Sequence, residues 1–133
     1  MQTALLDSSV WIPLFTNDFY SEEAFKIVVE LSKYTTKVLL PAIVYAEVIN
    51  CLKRFKVQRG KIDKIKKFFH ENKNIQIVYP HKDFWLKKVE KYAEKVRLKT
   101  LDLLILIFAL ELKVDKFYSF DGRLNKAYDE QTN

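Results

Sequence analysis

Thr3-Ala4-Leu5-Leu6-Asp7-Ser8-Ser9-Val10 decides the fold. Its first four residues have the length and apolar character of a buried strand, and a carboxylate with two serines stands at the strand's carboxyl end. Three further runs match it in length: Val38 to Leu40, Ile75 to Val78 and Phe117 to Phe120, with Pro41 and Pro80 punctuating two of them. Segments of helical period lie between. Strands separated by helices predict an α/β domain whose parallel sheet is covered on both faces and reached by right-handed crossovers.

The helices have their own signals. Ser21, followed by Glu22 and Glu23, predicts a capped start and a helix to about Tyr34. Pro41 suits the first turn of the next, with Val44, Val48, Cys51, Leu52 and Phe55 as its apolar stripe and Gly60 as its stop. A shorter helix is expected from about Ile62 to His70, and another after a cap at Asp83, with Trp85, Val89, Tyr92, Ala93 and Val96 facing inward. Thr100 is expected to cap a buried helix beginning at Leu101.

Composition narrows the function. At 133 residues, 49% hydrophobic and 14% aromatic, the chain suits one folded domain and neither disorder nor low complexity. Cys51 is the single cysteine, which excludes internal disulfides and a multi-cysteine zinc site, and His70 and His81 lack companions at ligand spacing. The longest apolar run, Leu103 to Leu110, is about half of what a bilayer demands and is flanked by Asp102 and Glu111. With no secretion-type leader at the amino terminus, a cytoplasmic protein without membrane contact is expected. The formal charge of +6 favours a polyanionic partner, and the excess is densest from Lys53 to Lys67. A solvated pair of helices explains that run equally well.

In a parallel sheet, Asp7 after the first strand and Asp121 after the last must emerge at the same edge. Either alone has a structural explanation: Asp7 as the cap of a helix starting near Ser8, Asp121 as the shaper of the turn at Gly122. Asp102 is costlier, because it stands in the first turn of a helix whose next eight residues are apolar. Glu47 lies at the edge of its helix's apolar stripe, and Asn50, three residues on, is placed to bond it or share its site. Carboxylates brought within a few ångströms repel by about 4 kcal/mol per close pair at an effective dielectric near 20. Mg2+ or Mn2+ removes that penalty, prefers oxygen ligands and suits phosphodiester hydrolysis. Ser9 and Thr100 are candidates to hold a water or a phosphate oxygen, and Lys99 and Arg123 to contact the scissile strand.

Four motifs in order carry a resemblance across nearly the whole chain. They are Leu5-Leu6-Asp7-Ser8-Ser9-Val10, Pro41-Ala42-Ile43-Val44-Tyr45-Ala46-Glu47-Val48, Leu98-Lys99-Thr100-Leu101-Asp102-Leu103-Leu104 and Tyr118-Ser119-Phe120-Asp121. Together they are similar to those of the PIN-domain ribonucleases, most closely the VapC-type toxins of prokaryotic toxin–antitoxin pairs. The resemblance implies a three-layer α/β/α fold and a Mg2+-dependent endoribonuclease whose four acids are Asp7, Glu47, Asp102 and Asp121. It also implies a homodimer and a small antitoxin that fills the acidic groove. Lys99 stands where many relatives carry arginine, a departure that loses a bidentate fork. The alternatives are a stand-alone PIN nuclease of RNA processing or decay and, from another class, a phosphoacceptor receiver domain. The latter needs neighbouring acids near the first strand, where this chain has Ser8 and Ser9.

Overall fold

β1 (Gln2–Leu6) is the strand around which the sheet is built, with β2 (Thr36–Pro41) on one side and β4 (Lys116–Tyr118) on the other. In this computed structural model, which describes residues 1–133 apart from the side chains of 82–84, β3 (Ile75–Val78) completes the order β3-β2-β1-β4. Every pairing is parallel, as the alternation of strands and helices predicts. Leu6 pairs with Tyr118 at the carboxyl end, so Asp7 and the residues after β4 share one edge.

The chain moves outward from β1 to β3, then returns past β1 to β4. With right-handed crossovers this places α1 (Ser8–Phe15), α2 (Ser21–Lys33), α3 (Ala42–Arg54) and α4 (Arg59–Glu71) over one face, and α5 (Lys82–Ala93) and α6 (Thr100–Glu111) over the other. α7 (Gly122–Thr132) packs beside α6. The strand order reverses between β1 and β4, where open α/β sheets leave a crevice at the strand ends.

Burial explains the pattern. Ala4, Leu5 and Leu6 of β1 are fully buried, because helices cover both faces of the central strand. Trp11 of α1 packs edge-on against Phe69 of α4 with ring centroids 5.0 Å apart, tying two helices of one layer together. α6 is buried along most of its length through Leu103, Ile105, Leu106, Ile107, Phe108 and Ala109, consistent with a helix that is apolar all round.

Several local expectations are corrected. Ser21 is the first residue of α2 rather than its cap: its hydroxyl donates to the Thr16 carbonyl and accepts from the Asp18 amide, closing the preceding turn. Pro41 ends β2 and occupies the cap position of α3. Gly60 does not stop α3 but lies in the first turn of α4. α3 ends at Arg54, where the Val57 amide reaches back to Leu52 O and Lys56 takes a positive φ of 57°. Those bonds make the Schellman closure with lysine in the usual glycine place, and they turn Phe55 outward, 65% exposed. Thr100 is helical, Lys99 fills the cap position, and α6 closes by the same motif at Lys113, φ 50°. α5 begins at Lys82 with His81 in the cap position, and the expected Asp83 cap lies outside the described residues. β4 is shorter than Phe117 to Phe120, ending at Tyr118.

Candidate active site

Asp7 leaves β1 as a buried carboxylate, 3% exposed. Its amide donates to Tyr118 O of β4, so the sheet's ladder continues one residue past the strand and fixes the backbone. The side chain caps α1, with Oδ1 accepting from the Ser8 amide at 2.7 Å. Oδ2 accepts from two hydroxyls, Ser9 Oγ at 2.8 Å and Ser119 Oγ at 2.9 Å. These donors compensate the burial of a charge.

The serines form a small scaffold between β1 and β4. Ser9 Oγ also accepts the Phe120 amide at 2.9 Å, and Ser119 Oγ accepts the Asp121 amide at 3.0 Å. Asn125 of α7 donates to Ser119 O at 2.8 Å, which fixes the far side of the same turn. Ser8 Oγ donates to Glu47 Oε1, a contact from α1 to α3 that connects the first acid's neighbour to the second acid. Asp121 caps α7, its Oδ1 accepting from the amides of Arg123 at 2.9 Å and Leu124 at 3.3 Å.

The two helix acids are held differently. Glu47, in the middle of α3, accepts only the Ser8 hydroxyl among the described residues; burial first, then the charges of Asp7 and Asp102, push its carboxyl up to about 7, against a smaller lowering by Arg54. Asp102, in the first turn of α6, has no hydrogen-bond partner among the described residues. Burial again raises its carboxyl most, followed by Asp121 and Asp7, with Lys99 opposing. Each of the four acids therefore lies within the electrostatic reach of at least one other. Among the described residues, however, no three His, Cys, Asp or Glu side chains stand together as a ready ligand set. The donors present are all carboxylate oxygens, the chemistry that Mg2+ and Mn2+ prefer.

A cleft of about 410 Å3 opens at this edge, with Asp102 and Asp121 on its wall beside Arg97, Lys99 and Arg123. Lys99 and Arg123 are thus where the sequence places them, beside the acids. Ser9 stands behind Asp7, its hydroxyl engaged with Asp7 and Phe120. Asn50 and Thr100 are exposed, and among the described residues their side chains have no hydrogen-bond partner; Asn50 does not bond Glu47. Sequence reasoning missed Ser8, Ser119 and Arg54. The first two were signalled by hydroxyls one residue after Asp7 and two before Asp121.

Among known proteins, the family model described as the PIN domain matches residues 4–130. No curated protein matches the sequence. Solved structures resemble the fold at low identity. The VapC20 toxin of Mycobacterium tuberculosis, described as cleaving the sarcin-ricin loop, superposes with a TM-score of 0.76 at 17% identity, over 93% of this chain and 94% of that one. VapBC2 of Rickettsia felis, bound to a DNA fragment from its promoter, gives 0.72 at 15%, over 94% and 92%. FitAcB of Neisseria gonorrhoeae gives 0.69 at 16%, over 95% and 93%.

Proposed function

The chain belongs to the PIN-domain family, and from that premise we propose that it is a Mg2+-dependent endoribonuclease, the toxin of a VapBC-type pair, with Asp7, Glu47, Asp102 and Asp121 as its four-carboxylate site. The observation that carries this reading is the state of Glu47 and Asp102. Both are half-buried and raised first by that burial and then by the charges of other acids, and Arg54 and Lys99 respectively offset this only in part. Bound Mg2+ would supply the missing counter-charge, and Mn2+ would serve as well. Asp7, Glu47, Asp102 and Asp121 are the side chains that would hold such an ion, although among the described residues no three of them stand as a ready ligand set.

When bound, such an ion makes a water more acidic and offsets charge growing on the phosphate. The chain's own residues do the rest. Asp7, pinned by Ser8, Ser9 and Ser119, provides a fixed anchor, whereas Glu47 accepts the Ser8 hydroxyl and Asp102 has no hydrogen-bond partner among the described residues. Lys99 and Arg123 flank Asp102 and Asp121 in the cleft and are placed to grip the substrate phosphates. Ser9 orients Asp7, and Asn50 and Thr100, both exposed, are candidates for substrate contact.

The structural neighbours include toxin–antitoxin assemblies, which supports a cognate antitoxin partner over a stand-alone nuclease. A cytoplasmic homodimer completes the proposal. No helix among the described residues is long and apolar enough to cross a membrane. The test is cleavage of purified RNAs by the purified protein: cutting is expected with Mg2+ or Mn2+ and should stop with a chelator. Cutting that persists in the chelator would overturn the metal-dependent reading.

A further inference from the structure

Lys95-Val96-Arg97-Leu98-Lys99 joins α5 to α6, and its exposure alternates: the three cations are exposed while Val96 and Leu98 pack against the core. The exposures put the three cations on the solvent side of the segment. Facing them across a cleft of about 220 Å3 are Arg123 and Lys126, three residues apart and therefore on one face of α7. Arg97, Leu98 and Arg123 line this cleft and also the one that holds Asp102 and Asp121, so the two adjoin.

The trough brings five cations together, with Glu130 the single acid on its wall beyond the catalytic edge. Among the described residues none of the five is in an ion pair, although Lys95 lies 5.9 Å from the ring of Tyr92. Unpaired like charges on both banks of a cleft repel, and an extended polyanion relieves that repulsion along its length. The floor is apolar, formed by Val96, Leu98 and Ala127, and provides surface for sugars or bases. The longer basic run from Lys53 to Lys67 has more cations, but Lys64 and Lys67 lie exposed on α4, outside the trough.

We propose that the trough between the α5–α6 segment and α7 is the track for single-stranded RNA leading to the acids, with Arg97 and Lys126 as its outer phosphate contacts. The proposal rests on the nuclease reading above. Arg97 and Lys126 are positioning residues: they hold the strand beyond the reacting phosphate and act on binding.

The experiment uses the full chain and a fluorescent twelve-nucleotide oligouridylate in chelator, with binding followed by anisotropy across a salt series. The double variant Arg97→Gln/Lys126→Gln should weaken binding about tenfold and reduce the salt slope by about 1.4, since each phosphate contact on a single strand contributes roughly 0.7. Lys64→Gln/Lys67→Gln should leave both near the wild-type values. With Mg2+ and a cleavable RNA, the first variant should raise KM about tenfold and keep kcat within about twofold, because it touches binding remote from the chemistry. Wild-type cleavage with unchanged KM and binding in the first variant overturns the trough alone. Equal losses in both variants overturn it too, since they would reflect net charge. A wild-type protein that neither binds nor cuts RNA overturns the nuclease reading and the trough together.

Discussion

The strand-tip acids and the helix acids of the proposed site live under opposite conditions. Asp7 and Asp121 each cap a helix and are satisfied by amides and serines, so the fold would want an acceptor there in any case. Glu47 and Asp102 serve no cap: one accepts a single hydroxyl, the other none among the described residues, and both are raised by burial and by neighbouring carboxylates. A group that the fold does not need and that costs energy to keep is the stronger sign of chemistry. The lesson concerns how to rank candidates. Good hydrogen bonding shows that an acid is well placed, and poor compensation shows that something outside the chain is expected.

The largest effects should come from exchanging charge for amide on the two sides. Asp7→Asn is expected to lower cleavage by on the order of 10³-fold and to destabilise the protein by about 1–2 kcal/mol, because an amide nitrogen would meet hydroxyls that now donate. Asp102→Asn should lower cleavage comparably, yet leave the metal-free protein as stable as before or slightly more so. Thermal unfolding in chelator, set beside the cutting rate, checks both. Equal destabilisation by the two variants would erase the distinction between tip and helix.

A smaller effect follows from Glu47. Its carboxyl is raised from 4.5 to about 7 in the fold, so between those values the folded state holds more protons than the unfolded chain. The metal-free protein therefore loses stability as pH rises through that window, by about 1 kcal/mol for a half-buried, partly screened group. Bound Mg2+ replaces the proton, so the Tm gain from Mg2+ should be larger at pH 8 than at pH 5.5. Glu47→Gln should reduce the metal-free slope to the part that Asp102 contributes, and an unchanged slope would assign the titration to another group.

Asp121→Asn should give the subtlest outcome. Asparagine caps a helix about as well as aspartate, so stability should stay within about 0.5 kcal/mol while cleavage falls. A large loss of stability would mean that the carboxylate's charge, beyond its shape, holds the start of α7.

Much of this was legible before the fold was known, for reasons of spacing. Apolar runs of strand length ending on Asp7 and Asp121 fix one edge, and the order of strands and helices fixes the parallel sheet. The mistakes were local. Ser21 reads as a cap because serine before two acids usually is one, but Asp18 and Thr16 claim its hydroxyl. Gly60 reads as a stop because glycine tolerates left-handed backbone best, yet Lys56 adopts it once the Val57 amide finds Leu52 O. Ser119 was invisible as a ligand of Asp7 because that bond spans 112 residues and depends on register.

β1 is paired on both sides, whereas β4 is a three-residue edge strand. The acids at the tips of these two strands therefore do not share one fate when the chain breathes. An edge strand this short is expected to open at a lower free energy than β1, carrying Ser119 and Asp121 away from Asp7. Asp7 stays behind on a strand whose amides are among the last to exchange with solvent. Opening of β4 ahead of β1 would thus part the two strand-tip carboxylates while the centre of the sheet stays paired.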